Sequence, residues 1–520
     1  MTRVPVTVAG VIRRQASARG GSTAILYAGR SISYAELDAR SSRVAQGLLA
    51  GGVGAQERVA FIDRNGPEFF EVLFGGAKIN AVNVGVNWRL AAPEIAYTVN
   101  DAKARMLFVG PDFYSQVEDV EDQLESVEAI VALGQHPRWK AYEAWLDEQE
   151  PRDPGVESAA DDVALQLYTS GTTGLPKGAM LTNRNLDCLF DGVAPEWEFD
   201  GESVNLIASP LFNIAGGGWA LLGMHCGCRS LLLRDPSPPG LLSAIPAHGV
   251  TNALLVPALL QFLLETPGCG ETDFSSLRAI VYGASPISEK ILAKSIQVFG
   301  CHFIQAYALT EHTGSVTILR NEEHDLSNPA RLRSAGRPHP WVELRIVDPA
   351  TGQDRTTGDI GEVWVRSCQV MKAYWNRPEE TAATVTEDGW LRTGDAGYLD
   401  PEGFLYLHDR VKDMIISGGQ NIYPAEVENA LMSHPEIADV AVIGVPDERW
   451  GETVKAIVVA RPGTVPDPES VISHARERIA HFKCPTSVDL VAALPRNPSG
   501  KVLKRELREP FWVGRERRVN

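Results

Sequence analysis

A chain of 520 residues exceeds the size at which one hydrophobic core keeps growing, so two or more domains are expected. With 44% hydrophobic and 22% charged residues, and neither heptads nor a short internal period, the composition excludes disordered and fibrous classes. The net charge of −17, from 49 basic against 66 acidic residues, disfavours non-specific binding to nucleic acid or anionic membrane, so an anionic substrate must meet a local basic site.

The N-terminal stretch MTRVPVTVAGVIRRQASARGG is interrupted by Arg13, Arg14 and Arg19 and has no apolar run of secretory-signal length, so export is not expected. Seven cysteines (188, 226, 228, 269, 301, 368 and 484) are scattered, and only Cys226 and Cys228 sit close together. Without a second pair at zinc-site spacing they read as reduced thiols in a reducing compartment, and the expected location is cytoplasmic.

From about residue 25 to 346, short apolar runs alternate with helical-period stretches. VAFID (59–63) precedes PEFFEVLFGGAKI (67–79), LQLY (165–168) precedes a glycine-rich loop, ALLVP (253–257) precedes ALLQFLLE, and AIVYG (279–283) precedes EKILAKSIQVF. This alternation predicts an α/β protein with parallel strands. The stretch 253–264 is shorter than the ~20 residues a membrane span requires and carries Pro257 and Gln261, so it reads as buried core. A peripheral membrane contact stays open.

Between 342 and 407 the runs LRIVD, GEVWVRS and GFLYLHDR, separated by turn-rich segments, predict short antiparallel strands. Beyond them come a helix opened by Pro424 (421–435), strands ADVAVIGVP and TVKAIVVA, a helix over 467–482 and a last strand over 487–494. The domain boundary is therefore placed at 410–413, giving an α/β domain over 1–410 and an α+β domain over 411–520.

YTSGTTGLPKGAM (168–180) carries the most specific chemistry. It follows an apolar strand and precedes a helix candidate over 182–190. Ser170, Thr172 and Thr173 supply hydroxyls, Gly171 and Gly174 let backbone N–H groups turn inward, and Lys177 adds a cation, a set able to cradle polyphosphate. It is not a Walker loop, because Lys177 lies between Pro176 and Gly178 where Ser or Thr would have to follow to hold magnesium. The plain alternative is a flexible surface turn.

With this loop the chain resembles the adenylate-forming superfamily, which includes acyl-CoA synthetases, firefly-type luciferases and peptide-synthetase adenylation domains. Further motifs of that family follow in order: YGASP (282–286), QAYALTE (305–311), WLRTGDAGYLD (390–400), LHDRVKDMIISGGQNIYPAEVE (407–428) and LPRNPSGKVLKRELRE (494–509). Taken singly, Tyr307 could be core, Glu311 solvated, Asp395 a turn former, Gly418 and Gly419 a β-turn, and the final segment a solvated basic tail.

The resemblance implies a large multi-sheet α/β domain and a small mobile C-terminal α+β domain, acting on ATP with Mg²⁺ and coenzyme A. It implies that Thr169, Ser170, Gly171, Thr172, Thr173, Gly174 and Lys177 hold phosphate, and that Gly283, Ala284, Ser285, Ala306 and Tyr307 line the adenine. Thr310 would bind the α-phosphate, Glu311 Mg²⁺, Asp395 the ribose hydroxyls, and Arg410 ribose or phosphate. Lys412 would be the hinge, Gly418 and Gly419 would flank the CoA arm, and Lys501, with Thr310 and Lys177, would be catalytic.

The same resemblance sets the acyl pocket behind PLFNIAGGGWALLG (210–223), with Asn213 where many relatives carry histidine. Gly216, Gly217 and Gly218 stand where some fatty-acid enzymes carry an aromatic gate. Trp219 reads as gate or core, with core favoured. With Ala284 also small and Val256, Leu259 and Leu260 apolar, a medium or long fatty acid or a bulky apolar acid is expected.

The expected function is an AMP-forming acid–CoA ligase acting on a small-molecule carboxylic acid, without nucleic acid or a transmembrane segment and with homodimer formation open. Two alternatives remain: an adenylation enzyme that loads a carrier protein, and a non-catalytic nucleotide- or acyl-binding protein of the same fold.

Overall fold

Each expected strand–helix pairing forms in the computed structural model, which describes residues 5–169, 175–410, 413–417, 420–447, 449–496 and 502–513. Arg58–Ile62 is a strand buried along its length, and Pro67–Lys78 follows it as a helix opened by Pro67, whose missing N–H is harmless in a first turn. Asn252–Leu254 leads to the helix Pro257–Glu265, and Ala279–Gly283 to the helix Glu289–Phe299. No described helix is long and apolar enough to cross a membrane.

By compactness the chain divides into two units, Met1–Leu344 with Val365–Arg392, and Arg345–Trp364 with Thr393–Asn520. This division falls earlier than residue 410 because most of a four-stranded sheet groups with the C-terminal chain.

Two large sheets build the first unit. One has nine strands, with a parallel centre that includes Val204–Ile207, Asn252–Leu254, Ala279–Gly283 and His302–Leu309. The other has eight, running from Ala373–Tyr374 through Lys177–Thr182, Val163–Thr169 and Val82–Gly85 to Arg58–Ile62 and beyond. Each sheet turns antiparallel toward an edge.

One such edge holds a strand the sequence did not predict: Lys177–Thr182 pairs antiparallel with Val163–Thr169, between the glycine-rich loop and the expected helix. The helix Asn183–Glu196 follows, capped reciprocally by Thr182 Oγ1 with the Asn185 N–H at 3.2 Å and Asn185 Oδ1 with the Thr182 N–H at 2.8 Å.

That helix holds a second departure. Cys188 is joined to Cys368, with Cα atoms 6.2 Å apart across 180 residues of sequence, while the other five cysteines are free. The expectation of uniformly reduced thiols missed this pair because proximity over such a separation leaves no trace in spacing.

WLRTGDAGYLD forms the strand Leu391–Leu399, in which Asp395 is the register partner of Arg410 in the antiparallel strand Leu405–Arg410 and so is not a turn former. A further sheet pairs Ile437–Asp447 with Gly451–Ala460 and carries Ser487–Leu490 parallel at its side. The helices Pro424–Met432 and Pro468–Arg476 set Val427, Leu431, Val471 and Ala475 into one core with Val440, Val442, Val454 and Val458.

Candidate active site

The glycine-rich loop is closed by a strand pair. Thr169 and Lys177 face each other in register at the end of the two strands, below which Leu165, Leu167, Ala179 and Leu181 are buried. Ser170, Gly171, Thr172, Thr173 and Gly174 lie outside the described residues.

Glu311 meets this stem from the other large sheet, in the turn after the strand His302–Leu309. Thr169 Oγ1 donates to Glu311 Oε1 at 3.1 Å, and the Tyr374 hydroxyl donates to the same oxygen at 2.8 Å. Among the described residues neither bond reaches Oε2. The backbone is tethered as well, by the Met371 N–H donating to the Glu311 carbonyl at 2.8 Å. Lys177 Nζ stands 5.3 Å from the centroid of the Tyr374 ring. A carboxylate with one oriented oxygen, a hydroxyl and a cation thus converge at the mouth of the loop.

This set fits a magnesium nucleotide. Mg²⁺ is held by one or two carboxylates together with phosphate oxygens and water, whereas an all-protein cage needs more ligands. Among the described residues no cluster of three or more His, Cys, Asp or Glu could hold a metal alone, and Glu311 presents one oxygen in the right surroundings.

Behind Glu311 the packing is polar but closed. His312 is fully buried with Nε2 2.8 Å from Ser367 Oγ, and His339 is buried with Nε2 2.9 Å from Ser315 Oγ. Gln369 accepts from Trp341 Nε1 and donates to the carbonyls of His312 and Ser315. Burial pushes both imidazoles down to about 3, so each stays neutral at ordinary pH.

The segments expected to line the adenine are neighbours. Gly283 and Ala306 are register partners in adjacent parallel strands, and a Cβ on Gly283 would lie 2.1 Å from the Ala306 carbonyl oxygen. Ala284 follows in the left-handed region, φ +66°, a conformation that costs an alanine roughly 1–2 kcal/mol. It is exposed together with Ser285, while Tyr307 is largely buried. Thr310 opens a tight turn, accepting at its carbonyl from the Thr313 N–H at 2.9 Å.

In the second unit, the Asp395 N–H donates to Thr393 Oγ1 at 3.1 Å, and Asp395 lies opposite Arg410 across the strand pair. Lys412, Gly418, Gly419 and Lys501 lie outside the described residues.

Two members of the expected acyl pocket line a cavity. Asn213 and Gly217 border a narrow cavity, partly open to solvent, whose walls include Phe61, Phe69, Leu73, Leu165 and Leu221. Asn83 and Asn213 are its polar members, and each already bonds backbone: Asn83 Nδ2 to the Leu73 carbonyl, Asn213 Oδ1 to the Gly216 N–H. Among the described residues no charged side chain lines it.

Gly216 and Gly217 have a different basis from a missing gate. Ile214–Gly218 is one π-turn capped by Asn213, and a Cβ on Gly216 would lie 2.0 Å from the Pro210 carbonyl oxygen, on Gly217 2.7 Å from that of Leu211. Close backbone approach excludes side chains there. Trp219 is core: its Nε1 donates to the Leu206 carbonyl at 3.0 Å and its ring packs on Phe199 and Trp197. Neither Trp219 nor Ala284 borders the cavity.

Sequence reasoning missed Tyr374. Its only local mark is the aromatic pair in AYWNRPE (373–379), which has no strand or helix period.

Comparison with known proteins agrees with this geometry. The family model for AMP-binding enzymes matches residues 12–375, and that for the AMP-binding enzyme C-terminal domain matches 426–501. The fatty acid–[acyl-carrier-protein] ligase ScoC of Streptomyces coeruleorubidus is 40% identical over 502 residues, 96% of this chain and 95% of its own. A feruloyl-CoA synthase from an Amycolatopsis species is 38% identical over 500 residues, 96% of this chain and 98% of its own. ATP-bound MatB from Rhodopseudomonas palustris superimposes with a TM-score of 0.88 at 30% identity, over 97% of this chain and 99% of its own. With the fold and both family models in agreement, the chain belongs to the AMP-binding enzymes of the adenylate-forming superfamily and is an ATP-dependent ligase that forms acyl-adenylates.

Proposed function

We propose that this chain is an acid–CoA ligase for an apolar carboxylic acid, a medium or long fatty acid or a bulky aromatic or alicyclic one. The observation that carries the acid class is the cavity beside Asn213, walled by aliphatic and phenyl groups, with no charged side chain among its described lining residues and its two amides each bonded to backbone. A substrate ammonium would find no counter-charge there and would be costly to bury.

In the first half-reaction a carboxylate oxygen attacks the α-phosphorus of ATP, and the bond from that phosphorus to the bridging oxygen breaks, releasing pyrophosphate. Two anions approach each other, so the protein's task is to neutralise charge. Lys177, Thr310 and Lys501 are the groups we assign to the phosphates, with the donors of loop 169–177. Glu311 would hold Mg²⁺, which when bound would supply positive charge to the phosphate oxygens. Thr169 and Tyr374 fix the orientation of that carboxylate. Tyr307 with 283–285 would contact the adenine, Asp395 and Arg410 the ribose.

In the second half-reaction the CoA sulfur attacks the acyl carbonyl, the carbonyl–AMP oxygen bond breaks, and the thiol proton leaves. The thiol must reach the carbonyl that, on this reading, Lys501 would approach during adenylation, so we assign residues 411–520 to a domain that reorients about Lys412. Gly418 and Gly419 would border the pantetheine arm.

A second reading, loading of a carrier protein, is favoured by one specific observation: the relative at 40% identity is an acyl-carrier-protein ligase. The test is acid-dependent pyrophosphate release across straight-chain, aromatic and alicyclic acids, then thioester formation with free CoA against a phosphopantetheinylated carrier protein. Pyrophosphate release with apolar acids and acylation of free CoA are expected. Acylation of the carrier alone would transfer the assignment to the second reading.

A further inference from the structure

Asp101, near the end of the helix Ala92–Ala102, lies outside every motif the sequence singles out, yet three bonds converge on it. Its Oδ2 accepts from the Tyr168 hydroxyl at 2.7 Å, its Oδ1 from Arg377 Nη2 at 2.8 Å, and its backbone carbonyl from Trp375 Nε1 at 2.9 Å. Its side chain is 10% exposed. Burial, with the carboxylate adding to it, pushes the Tyr168 phenol far up, so it stays a neutral donor.

Two of these partners lead to the same atom. Tyr168 immediately precedes Thr169, and Trp375 immediately follows Tyr374; Thr169 and Tyr374 are the two donors to Glu311 Oε1. A third path reaches the far stem of the loop: Arg377 Nη2 also donates to the Tyr97 hydroxyl at 3.3 Å, which donates to the Pro176 carbonyl at 3.1 Å. Trp375 is itself held, its N–H bonded to the Gly178 carbonyl at 2.8 Å and its ring under the Arg58 guanidinium at 3.4 Å.

We infer that Asp101 is a positioning residue of the nucleotide site, fixing both stems of the phosphate loop and, through Tyr168–Thr169 and Trp375–Tyr374, the orientation of Glu311. It touches no reacting atom. An aspartate fits better than an amide because both oxygens must accept, one from a phenol and one from a guanidinium; an asparagine would present an NH₂ to one of them.

This rests on the reading of the loop and Glu311 as the ATP site, and the experiment separates the two. Wild type, Asp101→Asn and Tyr168→Phe are compared by acid-dependent pyrophosphate release, varying ATP, Mg²⁺ and acid in turn, with rates normalised to active sites counted by the single-turnover burst of acyl-adenylate. Outer-shell partners typically contribute 10–100-fold, so Asp101→Asn is expected to raise the KM for ATP about 10-fold or more and to increase the Mg²⁺ requirement, with the KM for acid within about twofold of wild type. Tyr168→Phe, which removes one path and no charge, should move the same two parameters in the same direction by less.

A purely structural role would lower the number of active sites and the melting temperature but leave the KM values of surviving sites alone. That result, or equal rises in the KM for ATP and acid, overturns the inference. If Asp101→Asn does not fold, Tyr168→Phe decides by the same split. A wild-type protein that neither binds ATP nor releases pyrophosphate would overturn the underlying reading instead.

Discussion

The Tyr374 hydroxyl lies 2.8 Å from Glu311 Oε1, a bond that spans 63 residues of sequence and joins the edge strand of one large sheet to the turn that ends a strand of the other. Thr169 donates to the same oxygen, so two donors fix one oxygen of the carboxylate.

Tyr374→Phe removes one of these donors without changing the ring beside Lys177. A hydrogen bond to a charged group is worth about 1.5–3 kcal/mol, and Thr169 remains, so a loss of about tenfold in kcat/KM for ATP is expected. The measurement is pyrophosphate release under Mg²⁺ titration. A variant with an unchanged Mg²⁺ profile would show that the orientation of Glu311 is irrelevant to nucleotide use.

Lys501→Ala tests the division of labour between half-reactions. By analogy with removal of a transition-state donor, adenylation should slow by about 3–4 kcal/mol, while thioester formation from a supplied acyl-adenylate should be nearly unaffected. Equal losses in the two assays would mean that Lys501 serves both or neither.

Gly216→Ala tests the origin of the glycine triplet. The new methyl group would sit 2.0 Å from the Pro210 carbonyl oxygen, so the 210–218 backbone must shift. Overpacking of this kind costs about 1–3 kcal/mol, and a lower melting temperature with altered preference among acids is expected. A stable variant with unaltered acid selection would restore the simpler reading of Gly216 as a vacant gate position.

Acid should destabilise the protein through its buried histidines. His339 is held down to about 3 by burial, against about 6.5 in the unfolded chain, so below pH 6.5 the unfolded state binds the proton first. Its contribution is present in full above pH 6.5 and is lost as the pH falls toward 3, at about 1.4 kcal/mol per pH unit. His324, held down to about 4 by burial, acts in the same direction. Melting temperatures from pH 8 to 5 should be flat, then fall, and His339→Asn should show a shallower fall. An identical profile in that variant would place the acid sensitivity elsewhere.

What the sequence disclosed was local. Arg58–Ile62 with Pro67–Lys78 and Ala279–Gly283 with Glu289–Phe299 were legible because each pairs an apolar run with a helical period. The strand Lys177–Thr182 was not, since it begins Lys-Gly inside a segment dominated by turn formers. Likewise Asp395 after Gly394 reads as a possible turn former, whereas pairing with Leu405–Arg410 sets it in a strand. Glu311 was named from its motif, but Tyr374 and Asp101 act across the fold, where neither period nor spacing reports them.

The hairpin that carries the phosphate loop has an electrostatic consequence. A loop that opens directly into a helix places its anion at the positive end of an aligned row of peptide dipoles. Here both stems are stitched into a sheet, whose strand dipoles largely cancel, and the helix begins only after Thr182. On the proposed reading, attraction for an anion at this edge would draw on discrete groups such as Lys177 and owe little to a helix dipole, and could be raised or lowered one side chain at a time.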